Sequence, residues 1–163
     1  MSAAGIVLVV SGAYATGVVP PIPLTLKEGG IYHGLARSGM NYVLQAEEVP
    51  PWWDIRPITV HLTAGSTAYA YGAVFAPIRF STSVVHHWER YDAKAKKWVD
   101  EGHITFPISG GRAEGYRGYS LKENLTPGKW RVSVETLQGQ TIGRIPFTVE
   151  RVSSPPPLHE EIR

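Results

Sequence analysis

Arginine, tyrosine and tryptophan crowd one part of this 163-residue chain, between Gly110 and Val149. Arg112, Tyr116, Arg117, Tyr119 and Arg131 stand there, and Trp88 lies a short way upstream. Guanidinium forks and aromatic faces together can hold carboxylates, phosphates or sugar rings. These six residues are the candidate ligand-binding set. The competing reading is structural, with Tyr116 and Tyr119 packing a sheet while the arginines pair with Glu114, Glu123 and Glu135 as ordinary surface ion pairs. Across the hairpin described below, Arg131 faces Pro146 and no acid, which favours the binding reading.

Other candidate chemistry is thinner. The sequence contains no G-x-S-x-G, no H-E-x-x-H, no phosphate loop and no calcium loop. Zero cysteines exclude disulfides, iron–sulfur clusters and thiol catalysis. His86 and His87 suggest a metal, with His61 and His103 as partners, but adjacent strand residues point to opposite faces and cannot chelate one ion. Carboxylate help at suitable spacing is missing, so no metal is expected, and His86 reads as a hydrogen-bonded packing residue. Asp100 and Glu101 beside Gly102 read as solvated turn residues. Gly110-Gly111-Arg112 could cradle an anion, but no helix follows to add its dipole. Asn124-Leu125-Thr126 fits a glycosylation sequon, relevant only to a eukaryotic secretory chain. No catalytic residue and no cofactor is expected, and the chain is read as a non-enzyme. A net charge of +2 is too weak to argue for a nucleic-acid partner.

The elements that must position these residues read as strands. Pro127-Gly128 marks a turn in which glycine accepts a positive φ. Trp130, Val132 and Val134 then alternate with Arg131, Ser133 and Glu135, the period of a half-buried strand. Gln138-Gly139 supplies a tight loop, and folding back across it sets Trp130 against Phe147, Val132 against Ile145, Val134 against Gly143 and Ser133 against Arg144. Pro146 lacks a donor and predicts that this return strand lies near a sheet edge. Further strands are predicted at Asn41–Ala46, Ile58–Leu62, Tyr69–Ala76, Ser83–Tyr91 and Trp98–Phe106. About six or seven short strands without helical periodicity predict an all-β, immunoglobulin/fibronectin-like antiparallel β-sandwich. Its expected core holds Phe75, Val85, Trp98, Ile104, Phe106, Trp130, Val132, Ile145 and Phe147.

Ahead of that domain, residues 2–19 carry no charge. A helix needs roughly 20 apolar residues to cross a membrane, and this run is just long enough. A signal peptide is the rival, since Ala13-Tyr14-Ala15 is a small-x-small cleavage pattern, but no basic region precedes the apolar run. The expected organisation is a membrane segment over 1–24, a juxtamembrane connector over 25–56, the β-sandwich over 57–150 and a disordered tail over 151–163. Trp52 and Trp53 suit either a membrane interface or the bottom of the β domain.

The runs VVHHWERYDAKAKKW, ITFPISGGRAEGYRGYS and LTPGKWRVSVETLQGQTIGRIPFTV resemble the bacterial family called domain of unknown function 2914, and VVPPIPLTLKEGGIYHG looks like the membrane-exit region of its longer members. The likeness falls on His86, Trp88, Arg117, Ser120, Gly128, Trp130, Arg131 and Val132. It implies several membrane helices followed by a C-terminal β domain, with no established activity. This chain has a single apolar segment and begins inside it, as a short member or an incomplete reading frame would. LTPGKWRV is also similar to the L-x-P-G turn of fibronectin type III sandwiches, with its aromatic residue one position early, so only the architecture carries over.

The function expected is a membrane-tethered binding or interaction module of the bacterial cell envelope, its β domain outside the cytoplasm on family grounds. Its partners would be the membrane through residues 2–19, other membrane helices, or an envelope protein or glycan. An accessory domain or weak hydrolase acting on envelope glycans, and a structural spacer, are the alternatives.

Overall fold

The computed structural model describes residues 24–39, 41–48, 58–76, 80–110 and 115–163. The apolar run 2–19 expected to span a membrane, Trp52, Trp53 and Arg112 lie outside them. Eleven strands run in order among the described residues: β1 (Thr25–Tyr32), β2 (Gly34–Ser38), β3 (Asn41–Ala46), β4 (Ile58–Leu62), β5 (Thr67–Phe75), β6 (Phe80–Asp92), β7 (Lys97–Gly110), β8 (Tyr116–Glu123), β9 (Gly128–Thr136), β10 (Thr141–Arg151) and β11 (His159–Ile162).

They form three sheets, ordered β4-β10-β9-β6-β7, β1-β5-β8 and β11-β3-β2. The first two face each other as a sandwich. The five-stranded sheet supplies the large inward side chains Trp88, Trp130, Val132 and Phe147, and the three-stranded sheet answers with Ala68, Ala70 and Val74. Large meets small, as a close-packed interior requires. Trp88 and Phe147 meet edge to face at 6.2 Å. A Cβ on Gly143 would lie 2.5 Å from Leu26, so the bare backbone there lets β1 ride close over β10.

The hairpin register is the one the apolar alternation dictates. Trp130 faces Phe147, Val132 faces Ile145, Ser133 faces Arg144 and Arg131 faces Pro146. Gly139 has φ +79° in the connecting turn, a conformation glycine takes without strain. Pro146 is not on an edge strand, because β4 pairs with β10 in parallel. That ladder begins at Phe147, so the proline stands one residue short of it and no amide is missed.

Three expectations need correction. Phe75 and Ile104 are more than a third exposed rather than core, and Trp98 lies half-buried on the sheet's outer face. The connector instead contributes β1, β2 and β3, with the chain passing from the sandwich into the small sheet at His33. The tail is not disordered: β11 pairs with β3, and Tyr42 and Arg163 exchange backbone hydrogen bonds of 2.8 and 2.9 Å. Main-chain pairing orders a segment that has little apolar surface of its own to bury. The small sheet covers the outer face of β5, leaving Tyr71 fully buried beside Tyr32, Leu44 and Ala46. Glu47, just past β3, ties the layers together. Its carboxylate meets His33 Nε2 and His61 Nδ1, each at 2.6 Å, and accepts the His61 backbone N–H at 2.7 Å. Burial pushes its carboxyl up, but the hydrogen bonds from His61 and His33 outweigh that and hold it below the ordinary carboxylate range.

Candidate functional site

Arg112 lies outside the described residues, and the other five candidates do not converge on one site. On β8 the inward positions are Tyr116, Gly118 and Ser120, and the outward ones are Arg117, Tyr119 and Leu121. Arg131 belongs to β9 in the other sheet and points outward there. Arg117 and Arg131 therefore lie on opposite outer faces of the sandwich, and no single small ligand bridges them. Trp88 and Tyr116 are core, at 1% and 5% exposed.

Arg131 is a structural residue. Strand β6 places Glu89 directly across from it, and the guanidinium donates two hydrogen bonds to that carboxylate, at 2.6 and 2.7 Å. Ser133 adds a third at 2.8 Å, and the guanidinium stacks 4.1 Å over the Trp98 ring. The expectation that no acid faces Arg131 came from the hairpin alone, and the acid arrives on the strand flanking its other side. Paired this way, the Arg131 hydrogen bonds hold the Glu89 carboxyl below its usual range.

Trp88 takes part in a polar triad inside the core. Its indole N–H donates to Ser120 Oγ at 2.9 Å, and Ser120 Oγ meets His86 Nδ1 at 2.9 Å. An indole only donates, so Ser120 Oγ accepts from Trp88 and keeps both a second lone pair and its own hydrogen for the bond it shares with His86 Nδ1. Burial pulls the His86 pKa down to about 4, so the ring is neutral at neutral pH. A serine beside a histidine is also a nucleophile arrangement. Here both are sealed between the sheets, at 3% and 0% exposed, where the pair joins β8 to β6. His86 is the hydrogen-bonded packing residue its side of the strand implied.

Opposite His86, the His87 side chain points outward, as alternation requires. A carboxylate does reach it, contrary to the sequence reading. Asp100 on β7 comes within 3.5 Å of His87 Nε2 and within 3.6 Å of His103 Nδ1. The pair Asp100-Glu101 is split, since Glu101 instead meets Arg90 at 2.9 Å and Lys122 at 3.9 Å.

The remaining exposed chemistry lies on the outer face of β8. Tyr119 and Leu121 are 43% and 44% exposed on consecutive outward positions. Tyr42 of the small sheet packs edge to face on Tyr119 at 6.1 Å and on Tyr71 at 5.7 Å. Arg117 continues the row, across from Ala73 on β5. A cleft of about 220 Å³ also opens where the small sheet meets β1 and β4, lined by Glu28, Tyr32, Glu47, Glu161 and Arg163. Most of its charges are paired: Arg163 binds Glu28 and, at 2.7 Å, Glu161, while Glu47 is held by the two histidines.

Residues 81–149 match the model of a family described as a protein of unknown function, DUF2914. That stretch belongs to the DUF2914 family. It holds the His86–Trp88–Ser120 triad and the Glu89–Arg131 pair, whereas β1 to β5 and β11 lie outside it. No curated protein matches the chain. Among solved structures, an immunoglobulin-like protein from Pseudomonas aeruginosa aligns at 11% identity and TM-score 0.40, covering 78% of this chain and 96% of that one. A β-glucosidase from Listeria innocua aligns at 12% identity and TM-score 0.41, covering 79% of this chain but 16% of the glucosidase. The alkylpurine DNA glycosylase AlkC of Pseudomonas fluorescens aligns at 11% identity and TM-score 0.40, covering 85% and 33%. Among the described residues no helix is long and apolar enough to cross a membrane.

Proposed function

We propose that this chain is an immunoglobulin-like binding or interaction module of the bacterial cell envelope. The apolar run 2–19 tethers it to the membrane, and its sandwich is presented outside the cytoplasm. The observation that carries the binding role is the outward row on β8, where Tyr119 and Leu121 stay solvent-exposed beside Tyr42 and in line with Arg117. Tyrosine and arginine are enriched at the buried centres of protein interfaces. Leu121, at the end of that row, adds apolar area that favours a protein partner over a sugar. The tether rests on the uncharged sequence of residues 2–19.

The test places a photocrosslinking phenylalanine analogue at position 119 of the full-length chain in the cell membrane. A discrete protein adduct that disappears with Leu121→Glu supports the reading, provided the analogue at exposed Lys129, on the opposite sheet, does not give the same adduct. Identical adducts from both positions, or none from 119, would refute it. Release of the intact chain by alkaline extraction would remove the tether.

A further inference from the structure

We infer that the outer face of the five-stranded sheet carries a binding site for one divalent transition metal ion of borderline softness, such as Zn²⁺, held by His87, His103 and Asp100. The site is made by an irregularity in β7. His87 pairs with His103 and Trp88 with Gly102, but Glu89 pairs with Asp100, so Glu101 is an extra residue in the ladder. Asp100 and His103 are three apart, and strict alternation would put them on opposite faces. The bulge restores them to the same face, with Gly102 taking φ +128°. The Gly102 N–H donates to Asp100 Oδ1 at 2.8 Å and sets the carboxylate in place.

The donor atoms are spaced for one ion. One ligand atom from each of the three residues lies within 4.8 Å of the others. The separations from Asp100 Oδ1 are 3.5 Å to His87 Nε2 and 3.6 Å to His103 Nδ1. Tetrahedral ligands on bonds of about 2.1 Å stand about 3.4 Å apart, so little movement is needed. The two imidazoles stack at 3.9 Å and 21°, and aiming both nitrogens at a shared ion takes a rotation about χ2, a soft torsion. Two nitrogens and one oxygen suit zinc and its neighbours better than calcium or magnesium, which want oxygen alone.

Two further observations point to a ligand. His87 Nε2 is buried and lacks a hydrogen-bond partner among the described residues, a state that costs stability unless something binds there. The other ring nitrogen, Nδ1, lies 3.5 Å from Glu135 Oε1, the outer-shell carboxylate that typically orients a metal-binding histidine. The charges around the ring favour a cation: Asp100 and Glu135 are acidic, and Glu89 is neutralised by Arg131. Asp100 and His103 are 59% and 47% exposed, so a fourth position faces solvent.

The experiment uses the untagged full-length chain in detergent, freed of metal by dialysis against chelator and titrated with Zn²⁺ by calorimetry. One equivalent should bind and raise Tm. His103→Ala and Asp100→Ala should each weaken binding by well over about tenfold, and Glu135→Gln by about tenfold. His61→Ala should leave affinity unchanged, which separates this site from the Glu47 pair of histidines. Because a variant could fail to fold, the wild-type imidazole NMR signals of His87 and His103 are followed as well, and both should shift on Zn²⁺ addition. Binding below about a tenth of an equivalent, affinity unchanged in His103→Ala, or shifts confined to other histidines would each overturn the site.

Discussion

Ser120→Ala removes one oxygen from the interior and should cost far more than an ordinary hydroxyl. In the folded chain that oxygen serves two buried groups, the Trp88 N–H and His86 Nδ1, both at 2.9 Å. The alanine variant leaves both without a partner where Trp88 is 1% and His86 0% exposed. A stranded buried group costs about 1–3 kcal/mol, so the pair should cost about 2–4 kcal/mol after partial relaxation. At about 2–4 °C per kcal/mol for a chain of this size, Tm should fall by roughly 4–16 °C. Urea and thermal melts of Ser120→Ala measure this, with exposed Ser153→Ala as a control expected to stay within about 0.5 kcal/mol of the parent. Trp88→Phe deletes the donor from the other end, and the double variant should lose less than the sum of the singles by at least about 1 kcal/mol. A Ser120→Ala protein that melts with the parent, or strict additivity in the cycle, would refute the triad.

His86 makes stability fall in mild acid. Its folded pKa is depressed from 6.5 to about 4, so the unfolded chain takes up a proton that the folded chain refuses. Stability is therefore complete above 6.5 and drains as pH falls towards about 4, by roughly 3 kcal/mol. Urea midpoints of parent and His86→Gln across that range check it, and an equal slope in both removes His86 as the cause. Glu89→Ala should cost about 3 kcal/mol, because it strands Arg131 in a mostly buried pair, and Glu89→Ala with Arg131→Met should recover part of the loss. Gly118→Ala would put a methyl 2.2 Å from Phe106. It should cost about 1–3 kcal/mol by overpacking, with Phe106→Leu restoring most of it. A Gly118→Ala protein as stable as the parent would mean that β8 does not pack on Phe106 as described.

The hairpin was legible residue by residue because one stretch carries both the alternation and the turn. Val132 has no other face to offer, and a slip of one position would have buried Arg131. The Arg131 partner was not legible. Glu89 lies 42 residues earlier, and no local pattern says that β6 runs beside β9. Asp100 was hidden for a different reason. A bulge changes which residues share a face, and Gly102 was its only trace in the sequence. The strand at His159–Ile162 gave no signal because charged residues dominate it, and what orders it is main-chain pairing with β3.

That pairing also bears on the order in which the molecule assembles. Gln45 and Glu160 meet across 115 residues of chain, and closing such a loop from the unfolded state costs about 4 kcal/mol in entropy. Once β10 has paired with β4 the cost largely vanishes, because Val152 donates to the Leu62 carbonyl at 3.1 Å and both flanks of the small sheet already start from there. The small sheet is thus a follower, cheap to build on a standing sandwich and expensive to build before it. The same asymmetry operates in reverse. β2, β3 and β11 can lift away while the sandwich remains intact, and their amides should exchange with solvent ahead of those of β6 and β9. Each such opening bares Tyr32 and Tyr71 beside Tyr119, turning a narrow row of exposed side chains into a broad aromatic floor.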